Sequence, residues 1–293
     1  MIYLEKTDIH STLCTWLYCH FWMMWSYEQQ GKDVYINWPK GKFLKSYEDE
    51  QKFNEIPNAY GWYFYQPKTY TWELRKSINE YVVPRRDETY TWENWIDPVS
   101  PSFMSQPLSV IKDYYKKNLH FNEETNKRGE ELVKKYQIDF SKTIGITWRG
   151  TDIYLDGRPR IPIERYFRFI DELLEQEPGL RIAATAEEVG ILEPLFARYP
   201  NSFLIEEFIQ APLNSKNNPE RFSPVSGYER GLQPVLMVWL FSKMAHYIKN
   251  RSSTGAVASW LSEGRIVNIA HEETLSYLKM DDQVEIEGIK YPL

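Results

Sequence analysis

The residues best suited to chemistry follow an apolar run in the middle of the sequence. The run Thr143–Trp148 predicts a buried strand, and directly after it come Arg149, Gly150, Thr151 and Asp152. Open α/β sheets bind their ligands at the carboxyl ends of strands, where these four residues would lie. The guanidinium of Arg149 is a planar, permanent cation that suits a phosphate group. The alternative is a structural ion pair between Arg149 and Asp152.

A second polar segment lies between a predicted strand at 246–249 and a predicted helix at 255–263. It contains five consecutive residues, Arg251, Ser252, Ser253, Thr254 and Gly255. Hydroxyl side chains in this position cap the helix, and together with the exposed backbone amides they also bind phosphate. Both interpretations stay open. The segment lacks the glycine-rich spacing of a P-loop, so a kinase or NTPase is not indicated.

A third polar segment, Ala184–Glu188, follows a predicted strand at 180–184. Thr185 as the N-cap and Glu188 three residues later form the pattern of a capping box, which predicts a helix over 187–198. The competing interpretation is that Thr185 contacts the base or the ribose of a nucleotide.

Motifs of several well-known enzyme classes are missing from the sequence. There is no G-x-G-x-x-G after a strand, no G-x-S-x-G and no D-x-D. These absences argue against dinucleotide oxidoreductases, serine hydrolases and metal-dependent nucleotide-sugar enzymes. The five histidines show no metal-ligand spacing. The net charge is −6 without a long basic run, so nucleic acid is not an expected partner.

The elements that must position these segments begin with a βαβ pattern. A strand, a long helix and a second strand over residues 2–37 imply a parallel sheet. Residues 39–106 show no clear period. Strands and helices alternate again in the second half, which predicts helices on both faces of a parallel sheet. The sequence therefore predicts two α/β domains, 1–140 and 141–293.

The composition indicates a folded globular protein, with 42% hydrophobic and 26% charged residues. Cys14 and Cys19 lie about 140° apart on a predicted helix, so a disulfide between them is not expected. The low cysteine content favours a reducing compartment, and Glu5 and Asp8 interrupt any signal peptide. We therefore expect a cytoplasmic location. The apolar run Leu13–Trp25 is shorter than the roughly 20 residues that span a membrane.

Together, the three segments resemble motifs of the fucosyltransferase superfamily that includes α1,6-, nodulation-type and protein O-fucosyltransferases. Ile146–Asp152 is similar to the family's H-x-R-R-x-D-like run, Ala184–Glu188 to its T-D-D-like turn, and Arg251–Gly255 to its S-S-x-x-G-like segment. The apolar helix predicted at 232–244 is similar to the helix that precedes the third motif. The resemblance covers residues 143–270.

The chain departs from the family pattern at several positions. It has one arginine, Arg149, where the first motif commonly has two, and it lacks the histidine. Ala186 stands where the second motif has an acid. These departures leave open a glycosyltransferase with another nucleotide sugar. They also leave open a catalytically inactive carbohydrate- or nucleotide-binding protein on the same fold.

The resemblance implies the GT-B fold, which consists of two facing Rossmann-like domains with the donor mainly on the second. It implies an inverting glycosyltransferase that needs neither a metal nor a cofactor. The implied substrates are a nucleotide-sugar donor, with GDP-fucose as the first choice, and a glycan or other hydroxyl acceptor. The implied donor-binding residues are Arg149, Thr185, Ser252, Ser253, Thr254 and Gly255.

The resemblance also implies catalytic roles. Arg149 would stabilise the charge that develops on the departing diphosphate. Asp156, in the loop after the first motif, is the first choice for the base that takes the proton of the acceptor hydroxyl. The alternatives are Asp152, which could instead orient Arg149, and two acceptor-side candidates, His10 and Glu229.

Overall fold

The structure, a computed structural model, is an α/β protein with mainly parallel sheets, as the sequence predicts. It describes residues 2–5, 13–31, 34–37, 51–52, 54–56, 59–65, 81–82, 107–150, 161–213, 226–250, 252–270, 283–286 and 289–292. The chain separates into two compact units. One consists of Met1–Lys127 and Val225–Val235, and the other of Arg128–Pro224 and Leu236–Leu293. The predicted domains, 1–140 and 141–293, stay a prediction.

The elements are numbered in chain order. Those of the first half are β1 (Ile2–Glu5), α1 (Leu13–Glu28), β2 (Val34–Asn37), β3 (Phe64–Tyr65), β4 (Tyr81–Val82), α2 (Leu108–Asn118), β5 (His120–Phe121) and α3 (Glu123–Tyr136). Those of the second half are β6 (Thr143–Trp148), α4 (Glu164–Gln176), β7 (Arg181–Ala186), α5 (Glu193–Arg198), β8 (Ser202–Leu204), α6 (Gly227–Phe241), β9 (His246–Asn250), α7 (Ser253–Leu261), β10 (Arg265–Ala270), β11 (Gln283–Ile286) and β12 (Ile289–Pro292).

The first unit contains the predicted βαβ opening. Strand β1 pairs in parallel with β2 on one side and with β4 on the other, and α1 connects β1 to β2. Large aromatic side chains fill the core of this unit. Tyr63 stacks on Tyr228 at 5.5 Å between ring centroids, and Phe21 stacks on Tyr115 at 4.7 Å.

The second unit is built on a seven-stranded sheet with the order β12-β11-β10-β9-β6-β7-β8. All neighbouring strands are parallel except the pair β11 and β12. Counted from β6, the six parallel strands have the order 3-2-1-4-5-6, which is the order of dinucleotide-binding Rossmann folds. Strand β6 is therefore an interior strand of the sheet, with β7 and β9 on either side.

Side chains of β6 pack against helices on both faces of the sheet. Ile144, Ile146 and Trp148 belong to the core cluster that α4 covers. On the opposite face lies Gly145, where a Cβ atom would lie only 2.5 Å from Cδ1 of Phe241. This close approach lets the end of α6 pack directly on the strand. All six residues of β6 are buried, which explains its continuous apolar sequence.

Several predicted elements are confirmed, and others differ in their bounds. The helices predicted at 232–244 and 255–263 span Gly227–Phe241 and Ser253–Leu261. Strand 143–148 has the predicted bounds. The helix predicted over 187–198 begins instead at Glu193. Strand β7 extends to Ala186, because Thr185 and Ala186 pair with Thr147 and Trp148 of β6. Thr185 is therefore a strand residue and not a helix cap, so the predicted capping box does not form.

The polar end of the sequence contains two strands that the sequence did not indicate. Strand β11 extends the sheet in parallel beyond β10, and β12 returns antiparallel to it. Within the described part of the chain, none of the helices combines the length and apolar character needed to cross a membrane.

Candidate functional site

The polar segments after β6 and β9 lie at the point where the sheet reverses its strand order. From β6 the chain continues through β7 to β8 on one side, and then crosses to β9 and β10 on the other. The helix that follows β6 packs on one face, whereas the first turn of α7, after β9, packs on the opposite face against Tyr247 and Lys249. Parallel sheets bind ligands in the crevice that forms at such a reversal.

Arg149 follows β6 at this reversal, and a carboxylate of the neighbouring strand end holds it. Its Nε lies 3.3 Å from Oε1 of Glu187, and both side chains are about one quarter exposed, at 24% and 26%. The other oxygen of Glu187 accepts a hydrogen bond of 3.0 Å from the amide of Gly150. Glu187 therefore fixes both the guanidinium and the backbone of the turn after β6.

Asn250, the last residue of β9, holds the backbone of Arg149 from the other side. Its side-chain oxygen accepts a hydrogen bond of 3.0 Å from the amide of Arg149, and its side-chain nitrogen donates to the carbonyl of Arg149. The side chain of Asn250 is buried, and Arg149 satisfies both its polar oxygen and its polar nitrogen. Arg149 is thus fixed by the ends of both neighbouring strands.

The hydroxyl of Ser252 forms the predicted cap of α7. It accepts a hydrogen bond of 2.8 Å from the amide of Gly255, and Ser252 has the extended backbone of an N-cap residue. Ser253 and Thr254 form the partly exposed first turn. The first amides of a helix have no partner within the helix and carry a partial positive charge, so this turn favours an anion.

Thr147 and Thr185 lie one residue before the ends of β6 and β7, and both are buried. The hydroxyl of Thr147 lies 2.9 Å from the hydroxyl of Tyr247. Tyr166 donates a hydrogen bond of 3.2 Å to the carbonyl of Thr147. Burial, and to a lesser degree Tyr247, raises the pKa of Tyr166 well above its ordinary value, so this hydroxyl stays a donor.

The structure brings only part of the predicted site together. Arg149 and the cluster Ser252–Gly255 follow adjacent strands of the second unit. Glu229 belongs to the first unit, where it lies in the first turn of α6 and its amide donates to the hydroxyl of Ser226. Asp152, Asp156 and His10 lie outside the described residues.

The sequence does not indicate that Glu187 and Asn250 organise the turn after β6. Asn250 appears in the sequence only as the residue before Arg251, and Glu187 as part of a predicted helix. Their roles depend on the register between β6 and its two neighbours, which a pattern along one strand does not contain. Among the described residues, no group of three or more histidine, cysteine, aspartate or glutamate side chains could hold a metal ion.

No protein-family model matches the sequence, and a search of curated proteins finds no match. Solved structures do match. A NodZ α1,6-fucosyltransferase soaked with GDP-fucose has a TM-score of 0.55 and 12% identity, covering 100% of this chain and 98% of that one. The same type of enzyme co-crystallised with GDP has a TM-score of 0.53 and 12% identity, with 92% and 94% covered. The chain therefore has an α/β fold similar to that of the NodZ fucosyltransferases.

Proposed function

We propose that this protein is a glycosyltransferase that transfers a sugar from a nucleoside-diphosphate donor to a hydroxyl acceptor. One observation carries the proposal. Arg149 and the first turn of α7 follow adjacent parallel strands at the reversal of strand order, so a cation and a helix amino end occupy the place where such sheets bind nucleotides. Both groups favour a phosphate.

In the proposed reaction, the bond between the sugar and the diphosphate breaks and negative charge develops on the leaving phosphate. A guanidinium held in place before the reaction stabilises this charge without paying for reorientation. Glu187 and Asn250 supply that rigidity, because they fix the side chain and the backbone of Arg149. The hydroxyls and amides of Ser252–Gly255 would bind the diphosphate, and Thr185 stays a proposed donor-side residue.

GDP-fucose is the proposed donor. The sequence motifs resemble those of fucosyltransferases, and the matching NodZ enzymes were soaked with GDP-fucose or co-crystallised with GDP. We further propose inversion at the anomeric carbon and no metal requirement. The positive charge that a metal would otherwise supply then comes from Arg149 and the helix amino end.

The activity can be tested directly by incubating the protein with GDP-fucose and a panel of oligosaccharide acceptors. We expect acceptor-dependent release of GDP, with UDP- and CMP-sugars as poorer donors, and the same rate in EDTA. Loss of activity in EDTA that Mn²⁺ or Mg²⁺ restores would contradict the metal-independent mechanism. GDP binding without turnover on any acceptor would favour the catalytically inactive binding protein instead.

Arg149→Ala should reduce kcat by about 10²- to 10³-fold, the effect of losing one electrostatic contact worth about 2.7–4 kcal/mol. Arg149→Lys should not restore the rate, because an ammonium cannot reproduce the planar fork. The matched control is Arg198→Ala, which removes a surface arginine of the same unit that pairs with Asp171 at 2.7 Å. Nearly normal kinetics in Arg149→Ala, with the control also normal, would remove Arg149 from the site.

Asp156 is the proposed catalytic base, with Asp152, Glu229 and His10 as alternatives. Asp156→Asn should lower turnover by roughly 10²-fold or more and leave GDP affinity nearly unchanged, because a base acts on the acceptor and not on the diphosphate. Parallel kinetics of Asp152→Asn and Glu229→Gln distinguish the candidates. Normal turnover of Asp156→Asn beside an inactive alternative would reassign the base, and three active variants would mean that no side chain among them takes the proton.

A further inference from the structure

A row of four polar side chains crosses the centre of the seven-stranded sheet near its carboxyl end. The strand register aligns Thr185, Thr147, Lys249 and Asn268 across β7, β6, β9 and β10, and residues aligned in this way share one face of the sheet. All four are buried, with exposures of 2%, 6%, 1% and 0% in that order. The centre of a parallel sheet is usually apolar on both faces, so this row needs an explanation.

The side-chain stem of Lys249 packs against the first turn of α7. Its Cδ lies 2.7 Å from the position that a Cβ atom of Gly255 would occupy, and the ammonium nitrogen lies two bonds beyond Cδ. Only a glycine at 255 leaves room for this stem. The amino end of a helix repels a cation, and burial also disfavours one. An anion bound at this helix end would offset both effects.

Asn268 provides an independent sign of a ligand. Its side-chain nitrogen and oxygen are both buried and have no hydrogen-bond partner in the structure, as judged over the described part of the chain. Register places it beside Lys249 on the same face. An unpaired buried amide destabilises the folded protein, so folding alone does not account for an asparagine here.

We propose that Lys249 and Asn268 form the inner wall of the phosphate site, beneath the outer wall made by Arg149 and the first turn of α7. Lys249 supplies a second positive charge to the diphosphate from within the sheet, and the amide of Asn268 provides polar surroundings for that charge. This assignment rests on the proposed function, since it takes the anion to be the diphosphate of the donor.

Lys249→Met tests the assignment, because methionine keeps most of the packed stem and removes the charge. Calorimetry with GDP, inorganic pyrophosphate and guanosine separates the phosphate part of binding from the base part. We expect the variant to bind GDP and pyrophosphate at least tenfold more weakly and guanosine as well as the wild type does. The matched control is Lys142→Met, which removes an exposed lysine just before the amino end of β6 and should change none of the three affinities.

The second variant, Asn268→Leu, tests the assignment even if Lys249→Met does not fold. We expect its thermal midpoint without ligand to rise, because an unpaired buried amide is removed, and its pyrophosphate affinity to fall severalfold. If the thermal midpoint of Asn268→Leu rises but its pyrophosphate affinity equals that of the wild type, Asn268 has no role in binding and is excluded from the site.

The outcomes separate this inference from the proposed function. If the wild type binds neither GDP nor pyrophosphate, the proposed function fails and the inference fails with it. If the wild type binds both and Lys249→Met keeps the same preference for GDP over guanosine, the inference alone is overturned.

Discussion

The parallel pairing of β6 with β9 is the constraint on which the rest of the second unit depends. It joins the first strand of the unit to the strand that follows the long connection through α6, with β7 on the other side of β6. The reversal of strand order follows from this pairing, as does the placement of Arg149 beside the start of α7. Beyond the last backbone pair, the side chain of Asn250 forms two hydrogen bonds to the backbone of Arg149 and so extends the pairing by one residue.

Charged and polar groups at the same edge of the sheet lower the stability of the fold. Arg149, Lys249 and the amino end of α7 bring positive charge to this edge, and Glu187 pairs with Arg149. A sheet selected for stability alone would carry apolar residues at 249 and 268. The neighbouring core, from Ile144 and Ile146 to the side chains of α4, is apolar and well packed. That core holds the strand ends in place, so the polar edge can be rigid although it is not stabilising.

The sequence predicts the strands and helices of the second unit well and the contacts between them poorly. Strand 143–148 is a continuous apolar run, so it has the predicted bounds. The predicted start of α5, at residue 187, is wrong because strand pairing with β6 outweighs the local preference of Thr185 for a helix-cap position. The roles of Glu187, Lys249 and Asn268 depend on register between strands distant in sequence, which periodicity along one segment cannot supply.

Hydrogen–deuterium exchange with and without GDP tests the central claim, that a nucleoside diphosphate binds where β6 and β9 end. We expect slower exchange on GDP binding in peptides that contain Arg149 and Gly150 and in those that contain Ser253–Gly255. Peptides from the opposite end of the sheet, around Phe140–Lys142, should exchange as before. Protection that appears elsewhere in the chain, with the two strand ends unchanged, would show that GDP does not bind at these strand ends.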